Sequence, residues 1–220
     1  MTLCSSSRDV FLRRLRVLIQ RPVMPGRVSC LLLGRGDIMG CVDDFLAQDY
    51  ADRELLVLCD PDLEGKLPTG KLLGSDLIRL ISLPFSLGSD VLRYDFLATV
   101  SSGAYVCVWD CGHESDPGRL SIQRDIMERH HARCVSSFCC PSDLFFDHTV
   151  LSSLPEGLSR SPAPSWAEGM VEHISGLGRV LRIAPTDHGA FHRHRTPPLP
   201  THPTENPRAL RPDRMDQLPP

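Results

Sequence analysis

The sequence predicts an α/β fold, a mostly parallel sheet flanked by helices in a single domain. Two observations carry this. The stretch "VSCLLL" (residues 28–33), the turn "GRGD", a helical segment and the apolar run in "YADRELLVLCDPD" follow one another at the spacing of a βαβ unit. The same alternation of short apolar strands and periodic helices then repeats downstream. With 220 residues, 41% hydrophobic and 23% charged, the chain is long enough for one full core and too apolar for global disorder.

In chain order, residues 1–25 form a basic segment. Phe11, Leu12, Leu15, Leu18 and Ile19 recur at helical spacing among Arg8, Arg13, Arg14, Arg16 and Arg21, and Pro22 and Pro25 close it. Such a helix either packs against its own domain or lies on an anionic membrane surface, a peripheral contact. Residues 26–195 make the domain. Its first helix places Ile38, Cys41, Val42, Phe45 and Leu46 on one face, and the strand that follows ends in Asp60 and Asp62. A strand over Leu77–Leu83 precedes "SLGSDVLRYDFLATVSSG", which has helical period and ends at Gly103. "AYVCVW" is the next strand. Pro117 starts the helix "GRLSIQRDIMERHH", and "ARCVSSFC" returns as a strand. "LSRSPAPS" reads as a loop, "WAEGMVEHISGLG" as a short helix and "RVLRIA" as a last strand. Residues 196–220 are proline-rich and read as an extended or disordered tail.

A net charge of -3 argues against a nucleic-acid partner. No apolar run approaches a bilayer-spanning length and the start lacks the form of a signal peptide, which makes a cytoplasmic location the expectation. The nine cysteines are irregularly spaced, and Cys30, Cys59 and Cys107 sit in apolar runs, so free thiols are expected.

Gly34, Gly36 and Gly40, followed by Asp60, imitate a dinucleotide fingerprint with a variant G-x-G-x-x-x-G spacing. A dinucleotide-dependent oxidoreductase is the function this pattern suggests. More of the chain supports another reading. "VSCLLLGRG", "CVDDFLAQDYADRELLVLCD", "SSGAYVCVWD" and "DPGRLSIQ" occur in one order over residues 28–125. Together they resemble family 2 glycosyltransferases of the GT-A fold, a Rossmann-like architecture. The resemblance implies transfer of a sugar from a nucleoside diphosphate sugar to an acceptor hydroxyl. Its alternative is a degenerate member kept as a non-catalytic binding or scaffold protein.

The resemblance also assigns roles. Asp60 falls where relatives hydrogen-bond the nucleobase, with a loop-capping role as the alternative, and Cys59 replaces a second acid. Arg35 falls near an aromatic of the family, and its guanidinium can stack on a base. Arg93 corresponds to a donor-facing arginine. Aligned back from Gly103, however, Tyr94 and Asp95 take that place, which leaves Arg93 off by one residue, about 100° of helix. Counted back from Pro117, the acidic run that binds metal becomes Asp110, Cys111, Gly112 and His113, so a degenerate DxD motif keeps only its first acid. Mn²⁺ or Mg²⁺ would then rest on Asp110 and His113, with Glu114 or Asp116. Metal-independent neutralisation by His113, Arg193 and Arg195 is the alternative. A softer ion on Cys107, Cys111 and His113 lacks a complete ligand set. Glu168 matches the first acid of the family's catalytic pair and Gly169 the second, so Glu168 is the candidate base, or else an acid that helix electrostatics favours in a first turn. His194 in "FHRHRT" resembles a histidine that contacts the diphosphate, and otherwise belongs to a solvated basic cluster.

Overall fold

The computed structural model describes residues 5–62, 75–110, 113–137, 143–153, 165–183 and 192–194. The tail 196–220, Cys111, Gly112 and Arg195 lie outside them.

Apolar runs without polar interruption make strands buried on both faces. The later part of β1 (Met24–Leu33), most of β2 (Arg53–Cys59) and β4 (Gly103–Trp109) are of this kind, while β3 (Ile78–Ser82), at the sheet edge, is only partly buried and carries Arg79; the four pair in parallel. With β6 (Cys134–Ser137), β7 (Leu144–Asp147) and β8 (Val180–Ile183) they form a seven-stranded sheet of order β3-β2-β1-β4-β7-β6-β8. Only β7 runs against its neighbours. A separate two-stranded ribbon joins β5 (His113–Ser115) to β9 (His192–His194).

The helices are α1 (Ser5–Ile19), α2 (Ile38–Leu46), α3 (Asp90–Val100), α4 (Arg119–His130) and α5 (Trp166–Leu177), with a 3₁₀ turn at His148–Ser153. Alternate residues of each strand feed two cores. Leu31, Leu33, Leu56, Leu58, Val106 and Val108 meet α3 and α5, while Cys30, Leu32, Leu55, Val57, Cys107 and Trp109 meet α2 and α4. Ile38, Cys41, Val42 and Phe45 are buried as expected. Leu46 is exposed, because it falls at the edge of that stripe. α1 packs Leu12, Leu15 and Ile19 onto the first core, so it belongs to the domain. β1 starts at Met24, before Pro25, and its register against β4 shifts between Met24 and Val28.

A buried polar cluster fixes the amino end of the sheet. The Glu54 carboxylate accepts hydrogen bonds from Ser29 Oγ (2.6 Å), Ser102 N (2.7 Å) and Ser102 Oγ (2.8 Å), and Arg79 Nη1 lies 3.3 Å away. Arg79 also donates to Val100 O and Ile19 O. β1, β2, β3, the α3–β4 turn and the end of α1 are thereby tied to one carboxylate.

Candidate active site at the carboxyl edge of the sheet

The chain leaves β1 toward β2 and β3 and returns on its other side as β4, so the strand order reverses between β1 and β4. Crevices that bind ligands open at such points, beyond the strand carboxyl ends. A cavity of 480 Å³ lies there. Arg35 follows β1, Val108 and Asp110 close β4, Ser89, Asp90, Val91 and Tyr94 come from the start of α3, and Ser165, Trp166 and Ala167 from the start of α5.

Each lining group is set by local sequence. Gly34 allows β1 to end hard against β2, since a Cβ there would lie 2.6 Å from Cys59 Sγ and 2.8 Å from Leu58 O. Gly36, at φ 67°, turns the chain into α2, and the Asp37 carboxylate then caps α2 by accepting from Gly40 N at 3.0 Å. The glycines of the dinucleotide-like pattern thus build a strand–helix turn whose Gly40 amide is already engaged by a side chain. Ser89 caps α3 through Leu92 N, and Ser165 caps α5 through Glu168 N. Two helix amino termini, with their partial positive charge, therefore open on the cavity.

Tyr94 and Trp166 stack with ring centroids 5.4 Å apart and form an aromatic wall. Trp166 is only 3% exposed, and among the described residues its Nε1–H has no acceptor. Arg35 is half-exposed and its Nη2 lies 2.8 Å from Asp90 Oδ2.

Behind the cavity, Asp60 is fully enclosed. Its Oδ2 accepts from Arg93 Nε (2.8 Å) and Leu87 N (3.1 Å), its Oδ1 from Asp62 N (3.0 Å) and Arg93 Nη2 (3.2 Å). A carboxylate has about four acceptor sites, and protein donors take this many. Burial alone would raise the Asp60 carboxyl; the hydrogen bonds from Arg93, Leu87 and Asp62, with the Arg93 charge, outweigh it and hold it below the usual range. Contact with a base would require one of these donors to give way. Arg93 is buried among Asp60, Asp90 and Asp62, so it faces the strand-end acid rather than turning away from it. Tyr94, one residue on, lines the cavity, and Asp95 turns to Arg16 of α1. Burial, then the Asp60 charge, pushes the Cys59 thiol up to about 11. It is a neutral thiol and no substitute for a second acid.

The end of β4 is held by a second buried ion pair. Arg119 Nη2 donates to Asp143 Oδ1 (3.0 Å) and Val108 O (3.0 Å), and its guanidinium lies 4.7 Å from the Trp109 ring centroid. Trp109 Nε1 donates to Cys41 O at 3.0 Å. Asp110 is thus presented from a fixed strand end. Glu168 is exposed; Ser165 Oγ donates to its Oε2 (2.9 Å) while the Glu168 amide donates to Ser165, a reciprocal cap. It adjoins the lining residues 165–167 and does not line the cavity itself. His113 and His194 are register partners in the β5–β9 ribbon, so the backbone brings together two residues that the sequence suggested separately.

Sequence reasoning missed Ser89, Asp90, Ser165 and Trp166. The signal was present in the serine caps, which mark where two helices begin. Among the described residues no group of three or more His, Cys, Asp and Glu side chains is placed to hold a metal. Among the described residues two carboxylates line the cavity, Asp90, engaged by Arg35 and Arg93, and Asp110. That falls short of the oxygen set Mn²⁺ or Mg²⁺ takes.

The fold and the position of the cavity define a GT-A-like α/β domain. No protein-family model and no curated protein matches the chain. Solved structures do. Residues 1–349 of S. aureus TarS, a GT-A-type glycosyltransferase, superpose with a TM-score of 0.57 at 10% identity, over 76% of this chain and 59% of that one. The same protein in complex with UDP-GlcNAc gives 0.57 at 11% identity, over 76% and 57%. A mycobacterial protein gives 0.51 at 16% identity, over 86% and 72%. The chain therefore spans less than two thirds of the TarS structures it matches. No described helix is long and apolar enough to cross a membrane.

Proposed function

We propose that the chain binds a nucleoside diphosphate sugar in the cavity beyond β1 and β4 and transfers the sugar to an acceptor hydroxyl, in the manner of a family 2 glycosyltransferase. The observation that carries this is the makeup of the 480 Å³ cavity: two helix amino termini, Arg35 and an aromatic wall meet at the strand-order reversal of a GT-A-like sheet.

Each group has a task. The open amides at the starts of α3 and α5, with Arg35, face the charge that grows on the leaving diphosphate. The Tyr94–Trp166 wall offers a flat surface to a base or sugar ring, and the Trp166 N–H a donor. Arg93 and Asp60 hold the loop 86–89 and the start of α3 in place. Asp110 orients the donor sugar or diphosphate, and His113 and His194 stand beyond it on the ribbon. The acceptor proton needs a carboxylate. Glu168 takes it once its hydrogen bond with Ser165 opens, a small cost for an exposed pair. A Mn²⁺ or Mg²⁺ ion, if bound, would supply further positive charge at the diphosphate, but the described donors do not make its site, and no step here depends on it.

A second reading, a nucleotide-binding scaffold without turnover, is favoured by that thin donor set and by Gly169 at the place of the usual base. Calorimetry of the purified chain with UDP, GDP, CDP, TDP and NAD, each with and without Mn²⁺, separates the readings when combined with an assay for release of the nucleoside diphosphate from its sugar. Binding with release supports the transferase, and binding alone the scaffold. A preference for NAD, or no binding by folded protein, sinks both.

A further inference from the structure

α1 has two working faces. Leu12, Leu15 and Ile19 pack on the core, with Arg16 beside them paired to Asp95 at 3.8 Å. The opposite face displays Val10, Val17 and Leu18, the last two 77% and 80% exposed, and Val23 and Met24 continue it beyond the helix. Arg13, Arg14 and Arg21 are exposed among them, and no described residue pairs with these three. The sole acid of the helix is Asp9. Apolar side chains interleaved with unpaired guanidiniums suit a surface that is itself apolar beneath and anionic above. A second copy of this face would instead bring arginines against arginines.

We propose that the outward face of α1 docks in the interface of an anionic bilayer, with the helix lying in the membrane plane. Val10, Val17 and Leu18 enter the boundary between headgroups and acyl chains, and Arg13, Arg14 and Arg21 bind lipid phosphates. The helix, about 22 Å long, lies on the surface rather than crossing it. Phe11 packs edge-on against Phe85 at 5.3 Å, in the loop that leads through Leu87 to Ser89 on the cavity wall. Docking would therefore bring the cavity rim near the lipid. The proposal rests on α1 alone and stands or falls independently of the nucleotide reading.

The test is sedimentation of the full chain with vesicles of phosphatidylcholine alone and of phosphatidylcholine mixed with phosphatidylserine, at low and high salt and without nucleotide. Binding to the mixed vesicles that salt weakens is expected. At about five-fold per arginine, replacing Arg13, Arg14 and Arg21 together by Gln should weaken it roughly 100-fold. The double variant Val17→Asp, Leu18→Asp should abolish it with an unchanged melting temperature, since both side chains are exposed. Arg129→Gln, on the exposed face of α4, should leave binding as it was. Equal binding to both vesicle types, an unaltered arginine variant, or no binding by folded protein would overturn the proposal. So would a lipid-free dimer that the Val17, Leu18 variant dissolves, since a second copy would then cover this face.

Discussion

Replacing Arg93 by Ala tests whether the Asp60 pair organises the cavity's back wall. The substitution leaves a carboxylate with 0% side-chain exposure, two amide donors and no cation. Breaking a buried pair by removing one partner costs about 3–5 kcal/mol, because the remaining charge stays desolvated. That is a large share of the roughly 5–15 kcal/mol that holds a domain folded. The pH dependence sharpens the test. Asp60 is held below its ordinary value in the folded protein, so its contribution is fully present above the unfolded value of about 3.9 and is lost as pH falls through the folded one. In the variant, protonating Asp60 removes the unpaired charge. The gap between wild type and variant should therefore be widest at neutral pH and shrink toward about pH 4. Urea unfolding followed by circular dichroism, with the slope against urea unchanged, measures it. A loss under about 1 kcal/mol at neutral pH, or a gap that widens on acidification, would refute the reasoning.

Other consequences are as concrete. Glu54→Ala strands the Ser102 amide and hydroxyl, the Ser29 hydroxyl and the Arg79 charge, and should cost about 3–5 kcal/mol in the same unfolding assay. Burial would raise Glu54, yet its hydrogen bonds with Ser29 and Ser102 and the Arg79 charge leave it lowered, so the stability it confers should fade on acidification below the ordinary glutamate range. Arg35→Ala removes a charged donor from the cavity and should weaken nucleoside diphosphate binding about ten-fold by calorimetry, with stability nearly unchanged. Tyr94→Ala takes away one face of the aromatic wall. It should lower stability by about 1 kcal/mol or more, and lower affinity for a nucleotide sugar more than for inorganic diphosphate.

The sheet was legible because its central parallel strands are buried on both sides and so are nearly uninterrupted apolar runs. "VSCLLL", "ELLVLC" and "AYVCVW" announce themselves, and α2 shows its buried stripe at helical spacing. What escaped was set by partners distant in the chain. β7 is four residues, "LFFD", and its reversed direction depends on pairing with β4 and β6. β5 and β9 are "HES" and "HRH", with no apolar period at all, and exist because each is the other's partner. Sequence periodicity reports burial along one segment and is silent about pairings of this kind. Arg93 illustrates the same limit within a helix. Counting from Gly103 left it one place off, whereas its reach across to the end of β2, not its count, decides what it touches.

The stretch "YVCVWD…PGRL" carried most of the resemblance, and its physical content is now specific. Arg119 lies on Trp109, pairs with Asp143 and holds Val108 O, while Gln48 links the Asp116 carbonyl and the Leu120 amide. These contacts fix the end of β4 and the start of α4. They are equally necessary to a transferase and to a scaffold of the same shape, so they speak for the fold and not for turnover. Asp110 does separate the two. It stands one residue beyond the clamp and lines the cavity. Arg119→Met should therefore lower stability by several kcal/mol, leaving Asp143 buried without its cation, and disturb nucleotide binding only as a consequence. Asp110→Asn should leave the free energy of unfolding within about 0.5 kcal/mol of wild type while changing nucleoside diphosphate binding or release. If Asp110→Asn instead unfolds the protein and leaves binding per folded molecule unchanged, the carboxylate belongs to the scaffold, and its assignment to the donor is wrong.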